Sequence, residues 1–295
     1  MPRRTLRRLL PCEPAQLYLG RMSATFPDLS GTEATRDTLH AYSRVLGAIR
    51  RAHAPEHPRW WHISIGVGPR GFVMPATPWP DRPDMDFGVD LDLVDHQVVV
   101  GVSDETLATL DLREGLSGTA LGDRTVHILR GAGVEVAPER EKYADETTRT
   151  YDPKHAAAWL DAFQAAQHAL GTVREDLDGE RSPIQLWPHH FDLSFECFGT
   201  RRVTYVEDGE EREAPSQIGC GFSPIPTTGT ESYFYATPWP FDDALEQEML
   251  PSEAAWVTEG WQGALLPYAE ARVRGEDAVA EFCIAVFELA QSRLT

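Results

Sequence analysis

Apolar residues recur along the chain with two different periods, and the switching between them predicts an α+β protein. Residues 32–52 carry Leu39, Tyr42, Leu46 and Ile49 on one stripe at spacings of three and four, the pattern of an amphipathic helix. Pro55 and Pro58 end it. Residues 60–67 alternate instead, with Trp61, Ile63, Ile65 and Val67 on one face of a predicted strand and His62 and Ser64 on the other. Residues 87–93 and 97–102 read as two further strands joined by a turn at Asp95-His96. A helix follows at 117–130, stopped by Gly131 and Gly133, and then a short strand at 134–137. The most regular stripe is Trp159, Phe163, Ala166, Leu170 and Val173, again a helix. Beyond it the pattern predicts strands at 191–198, 217–222 and 232–236, with a polar hairpin-like loop at 207–215. A closing helix of about five turns buries Val279, Phe282, Val286, Phe287 and Ala290.

Hairpin-compatible strands flanked by helices favour antiparallel sheets packed with amphipathic helices over a regular βαβ alternation. Ala76-Thr77-Pro78-Trp79-Pro80 recurs as Ala236-Thr237-Pro238-Trp239-Pro240, so an internal duplication and two similar proline-rich strand exits are both open readings. The expected layout is a basic arm at 1–31, a first α+β half at 32–138, a charged linker or long loop at 139–152, and a second half at 153–295. The two halves are expected to fuse into one compact unit.

Charge narrows the partners. The 295 residues hold 27 Lys and Arg against 46 Asp and Glu, a net charge of -19. Nucleic-acid affinity rests on neutralising phosphates, so DNA or RNA binding is excluded as a main role. No apolar run approaches the roughly 20 residues of a membrane-spanning helix. Arg3, Arg4, Arg7 and Arg8 are not followed by the apolar stretch of a signal peptide. Cys12, Cys197, Cys220 and Cys283 have no CxxC spacing, which removes a zinc ribbon and a thioredoxin motif. Four free thiols fit a reducing, cytoplasmic setting.

Gly66-Val67-Gly68-Pro69-Arg70-Gly71 matches GxGxxG after a strand, yet Pro75, Pro78 and Pro80 forbid the helix that would hold a pyrophosphate, so a glycine-rich hairpin turn is the better reading. The densest chemistry lies in Ser182-Pro183-Ile184-Gln185-Leu186-Trp187-Pro188-His189-His190-Phe191-Asp192. On a strand, His190 and Asp192 share a face at about 6.5–7 Å, close enough for one metal ion or one polar ligand, while His189 points away with Phe191. Ser194 and Glu196 continue that face. His62 and Ser64 offer a matching one, and Asp92, His96 and Glu259 are further candidates. A constellation of His62, His190 and Asp192, with Asp92 or Glu259 as fourth member, can hold a divalent metal or perform acid/base chemistry. Trp79, Trp187 and Trp239 at proline turns can line a cleft, although core packing is the commoner use of tryptophan. Against all of these stands the plain alternative that a half-buried sheet shows a polar face to water.

These same segments resemble domain of unknown function family 5996. Thr38-Leu39-His40, Trp60-Trp61-His62-Ile63-Ser64, Asp92 with His96, Ser182-Pro183, the run from Leu186 to Asp192, Ser223-Pro224 and the second Thr-Pro-Trp-Pro carry the resemblance. It runs in order from about Thr35 to the C-terminus. Trp256-Val257-Thr258-Glu259-Gly260-Trp261 also resembles a related group of uncharacterised bacterial proteins. The resemblance implies no reaction, cofactor or catalytic residue. Many relatives have Gly-Ser or Glu-His before Phe-Asp where this chain has His189-His190, which leaves Asp192 the foremost candidate.

Two functional expectations follow, the first in two forms. The first is a pocket for a small polar molecule lined by His62, His190, Asp192 and tryptophans, either as a binding protein or as a metal-dependent or acid/base enzyme. In it Asp192 orients or coordinates, His190 is base or ligand, and His62 is the partner across the pocket. The second is a non-catalytic module acting through protein partners, whose His-Asp-Trp motifs build the fold. The oligomeric state stays open.

Overall fold

The computed structural model describes residues 25–207, 209–226 and 231–295. The arginine-rich start and Cys12 lie outside these residues. The described residues group into two compact units. One comprises Pro27–Gln164 and Gln185–Phe191; the other comprises Ala165–Ile184 and Asp192–Thr295, with Thr25 and Phe26.

The first unit begins with α1 (Glu33–His53), shifted one residue along the chain from the predicted helix. Its stripe of Leu39, Tyr42, Leu46 and Ile49 is fully buried. Strands β1 (Gly66–Val67), β2 (Gly71–Val73), β3 (Thr77–Trp79), β4 (Arg82–Asp92), β5 (Gln97–Val102) and β6 (Glu105–Asp111) form one antiparallel sheet in the order β1-β2-β4-β5-β6, with β3 also on β4. Alternation puts Phe87, Val89 and Leu91 of β4 on the same face as Phe72, Val98 and Val100, and α1 and α2 (Gly118–Gly131) pack against this sheet. Ser117 caps α2 by accepting the Ala120 N–H at 3.1 Å, and Gly133 leaves it at φ 90. Helix α3 (Pro153–Asp176) starts with Pro153 after Asp152, whose carboxylate accepts the Lys154 N–H. It gives residues up to Gln164 to this unit and the rest to the second. Its predicted stripe from Trp159 to Val173 is buried throughout.

Two local expectations fail here. Residues 60–67 are not one strand. Trp60 has φ 60, Trp61–Ile63 form a single 3-10 turn, and pairing resumes only at β1. Trp61, Ile63 and Ile65 met period two, while His62 Nδ1 accepts the His57 N–H and closes a local turn. Residues 134–137 pair with no strand, because Arg130 and His53 take the Val136 carbonyl and the Ala137 N–H instead. The GxGxxG segment is a hairpin, with Gly66 opposite Val73 and the Gly68 N–H donating to the Gly71 carbonyl at 2.8 Å. The charged 139–150 stretch is stitched down: Tyr143 is buried against Gly122, and the Thr150 carbonyl accepts from Thr38. A short strand β8 (Gln185–Trp187) follows β7 (Glu180–Arg181) in sequence and bridges to Ile65 through Leu186.

In the second unit β9 (Asp192–Glu207), β10 (Glu210–Ser223), β11 (Tyr233–Trp239), β12 (Ala255–Val257) and β13 (Gly263–Pro267) join β7 in the order β12-β13-β11-β10-β9-β7. Of the expected loop at 207–215, Glu207 and residues 210–215 are strand instead. The exposed ends of β9 and β10 pair as far as Glu207 and Glu210, since paired polar side chains need no core. One sheet face presents Leu193, Phe195, Cys197, Ile218, Cys220, Phe222, Phe234 and Leu266, all buried. Helices α4 (Tyr268–Arg274) and α5 (Glu276–Leu294) cover it, α5 through Val279, Phe282, Val286 and Ala290, with Phe287 half-buried. Phe26 meets Phe234 and Tyr268 edge-on. The repeated Thr-Pro-Trp ends both β3, a three-residue strand paired on β4, and β11, flanked by β10 and β13. An internal duplication is not shown.

Candidate functional site

The residue favoured by sequence, Asp192, opens β9 on the face opposite the apolar core. Ser194 and Glu196 follow it on that face by strand alternation. Across them runs β10, where Gly221 pairs with Ser194 and Gly219 with Glu196; beyond lies β11, where Tyr235 pairs with Gly221 and Thr237 with Gly219. The two glycines leave the middle strand bare. Tyr235 uses the space: its ring lies across Gly221, where a Cβ would stand 2.5 Å from the phenol carbon and oxygen and 2.7 Å from Ser194 Cβ. Its hydroxyl thereby reaches over a whole strand and donates to Asp192 Oδ2.

Burial, and then the Asp192 carboxylate, hold the Tyr235 hydroxyl protonated far above the ordinary tyrosine range. A hydroxyl held as a donor in this way fixes the carboxylate in one orientation. Tyr233 stacks on Trp261 with centroids 6.1 Å apart, and Trp261 lies over Gly263. Among the described residues, the buried indole Nε1 of Trp261 has no hydrogen-bond partner. Ser182 secures the β9 backbone here, with its Oγ accepting the Glu196 N–H and its N–H donating to the Glu196 carbonyl. Two carboxylates, a tyrosine hydroxyl and aromatic rings thus share one sheet face.

His190 does not share that face. It sits exposed on the turn after β8, and Phe191, at φ 62, turns the chain before β9 begins. The left-handed residue breaks the alternation on which the His190/Asp192 pairing depended. The first unit gathers the histidines elsewhere. Pro188 rests on α1 at Gly47, the His189 carbonyl lies 3.3 Å from His40 Nε2, and Phe191 is buried against His40, Phe72 and Phe163. Burial, and then His190 and Arg51, lower His189 to about 4, so its ring is neutral. Burial, then Arg51, likewise lower His62.

The remaining candidates divide plainly. Ser64 is saturated, donating to the Trp61 carbonyl and accepting from Gln185. Asp92 holds a turn, since its carboxylate takes two guanidinium nitrogens of Arg70 and the N–H groups of Val94 and Asp95. His96 pairs with the Tyr151 hydroxyl at 2.9 Å. Trp79 is buried under Arg82 in the first unit, Trp239 meets Tyr205 in the second, and Trp187 meets His189 edge-on. Glu259 is exposed in the bend after β12. Among the described residues no group of three or more His, Cys, Asp or Glu side chains is arranged to hold a metal ion.

Sequence reasoning passed over Tyr235, Trp261 and the glycines. Their signal was present as Gly219-Cys220-Gly221 beside Tyr233-Phe234-Tyr235, two strands whose alternate positions are bare on one and aromatic on the other. It also passed over Asp90, a buried carboxyl raised to about 7 by desolvation.

No described helix is long and apolar enough to cross a membrane. Comparison with protein families finds one model, described as Family of unknown function (DUF5996), matching residues 26–294, nearly the whole chain. No curated protein and no solved structure matches.

Proposed function

The chain belongs to the DUF5996 family of unknown function, and from that premise we propose that the Asp192 face of the second unit binds a small polar molecule carrying a cationic amine. One observation carries the reading: β10 is bare at Gly221, so that Tyr235 spans it to orient Asp192. A side chain placed across a neighbouring strand to hold a carboxylate is costly to arrange and needs a glycine in a strand, where glycine is disfavoured. That cost is understandable if the carboxylate has to meet a ligand in one orientation. Asp192 is the anchor, Glu196 the second negative group, and Tyr233 with Trp261 supply rings whose faces attract cations. In this reading His62 and His190 take no part, and neither does a divalent metal. Chemistry on the bound molecule is a separate claim that the face does not require.

The test is a thermal-shift screen of amines, polyols and carboxylates on the whole chain, repeated with Asp192→Asn and Tyr235→Phe. An amine at about a hundred times its Kd should stabilise the wild type by about 2.7 kcal/mol. At an unfolding entropy of about 2.1 cal/mol/K per residue, that is a rise of roughly 4–5 °C for a protein of this size. Asp192→Asn should abolish the shift and Tyr235→Phe reduce it, with both variants folded. Silence across the amines refutes the proposal. If Asp192→Asn fails to fold, Tyr235→Phe decides alone, and an undiminished shift in it sinks the reading. Collapse of both variants without ligand favours the module reading, in which the motif builds the fold.

A further inference from the structure

Trp60 is the second feature of the sequence motifs that the Asp192 face leaves unused. It is a bulky residue in left-handed backbone, φ 60, and still 53% exposed. A tryptophan in that region is strained. Core packing does not account for the strain, because the ring is largely outside. Two groups flank it instead: the Arg51 guanidinium carbon 5.1 Å from its centroid and the His62 ring at 5.5 Å, nearly parallel. Among the described residues Arg51 has no hydrogen bond and no carboxylate partner, in a chain where most arginines are paired.

His62 is the second independent sign. It is only 7% exposed. Its Nδ1 accepts the His57 N–H at 3.2 Å, so the neutral ring must carry its proton on Nε2. That Nε2–H has no partner among the described residues. The fold converges on this place: a Cβ at Gly47, one helical turn before Arg51, would lie 3.7 Å from the Ile63 carbonyl and 2.6 Å from Pro188 Cβ. Thus the 3-10 turn bearing His62 and the turn bearing His189 both seat on α1 beside Arg51.

We propose that Arg51 and His62 bind a small oxyanion, a phosphate group in preference to a carboxylate, at the edge of Trp60. Arginine supplies the permanent charge and a planar pair of donors, the arrangement that suits phosphate. His62 supplies a neutral donor fixed in direction by the His57 N–H. A phosphate has oxygens for both and one to spare, while a monocarboxylate has two oxygens for the same donors. The acidic group acting on His62 is Glu56, and the other charges acting on it are those of Arg51, Arg50 and His57. The strained backbone at Trp60 holds the indole beside the anion, covering one side of it.

The experiment titrates inorganic phosphate and, separately, acetate into the whole chain at about pH 7, following tryptophan fluorescence and the histidine ring resonances. Phosphate should give saturable changes in the Trp60 signal, identified by its absence in Trp60→Phe, and in the His62 resonance. Arg51→Gln should weaken binding at least about tenfold, the loss expected for one charge-assisted pair. His62→Asn, whose side-chain oxygen still accepts the His57 N–H, should weaken it while melting like the wild type. His62→Gln, which keeps a donor near Nε2, should retain more binding. Absence of saturable phosphate binding overturns the proposal, as does equal binding in Arg51→Gln and His62→Asn. Should Arg51→Gln fail to fold, Arg51→Lys keeps the charge without the paired donors, and unchanged affinity in it overturns the geometry. Acetate binding as tightly as phosphate overturns the stated preference.

Discussion

Replacing Gly47 by alanine sets two effects of opposite sign against each other. In a helix interior, alanine is favoured over glycine by about 0.5–1 kcal/mol, because glycine loses more backbone freedom on folding. At Gly47, however, the new Cβ would meet Pro188 Cβ at 2.6 Å and Cγ at 2.8 Å. Carbon atoms prefer roughly 3.5–4.0 Å, so helix and turn must separate by about 1 Å. Pro188 has no rotamer into which to retreat, and Phe191, three residues on, is buried between Phe72 and Phe163. Overpacking of this kind costs about 1–3 kcal/mol, so the net change should be a loss of about 1–2 kcal/mol. Urea denaturation followed by circular dichroism measures it, with Gly171→Ala as the control. Gly171 lies within α3, and a Cβ there would make an ordinary 3.9 Å contact with Ile184. That variant should gain stability. If Gly47→Ala gains as much as Gly171→Ala, the seating of the proline turn on α1 is wrong.

Gly221→Ala should displace the Tyr235 ring from Asp192 and lower stability by about 1–3 kcal/mol. An unchanged Tyr235 ring resonance in the folded variant would refute the crossing of β10. Asp90 provides a pH prediction. Its carboxyl is raised to about 7 when folded, by burial, then opposed by the Met74 N–H, with Asp92 adding to the rise. The folded state therefore binds the proton more tightly than the unfolded one, and stability falls as pH rises from about 4 to about 7. Asp90→Asn keeps the acceptor for Met74 and cannot ionise, so it should resemble the wild type near pH 4 and exceed it by on the order of 3 kcal/mol at pH 8. Parallel stability curves for the two proteins across that range would sink the assignment.

How much of this was legible depended on how local each feature is. The stripes of α1, α3 and α5 were readable because a helix buries one face at a fixed period, whatever it packs against. β5 was readable for the same reason, from its run of valines. Residues 60–67 misled because period two was met by Trp61, Ile63 and Ile65 while a single hydrogen bond from His57 to His62 closed a turn instead. The His190/Asp192 pairing failed for a related reason. Strand geometry was extended two residues upstream, through a Phe191 whose left-handed backbone leaves no mark in residue type. The strand character of 210–215, read as part of a hairpin-like loop, was hidden by its polarity, since a ladder beyond the core needs no apolar alternation.

By itself the sequence determined the class of fold and the buried stripes of the longer helices. It did so because burial leaves a periodic trace that does not depend on the partner. Tertiary structure decided which groups meet. Tyr235 and Asp192 are 43 positions apart. They touch because β10 lies between their strands and is bare at Gly221, and no local pattern encodes which strand lies between. The same holds where α1 receives Pro188 at Gly47: a missing side chain acquires its meaning only from the chain that fills its place.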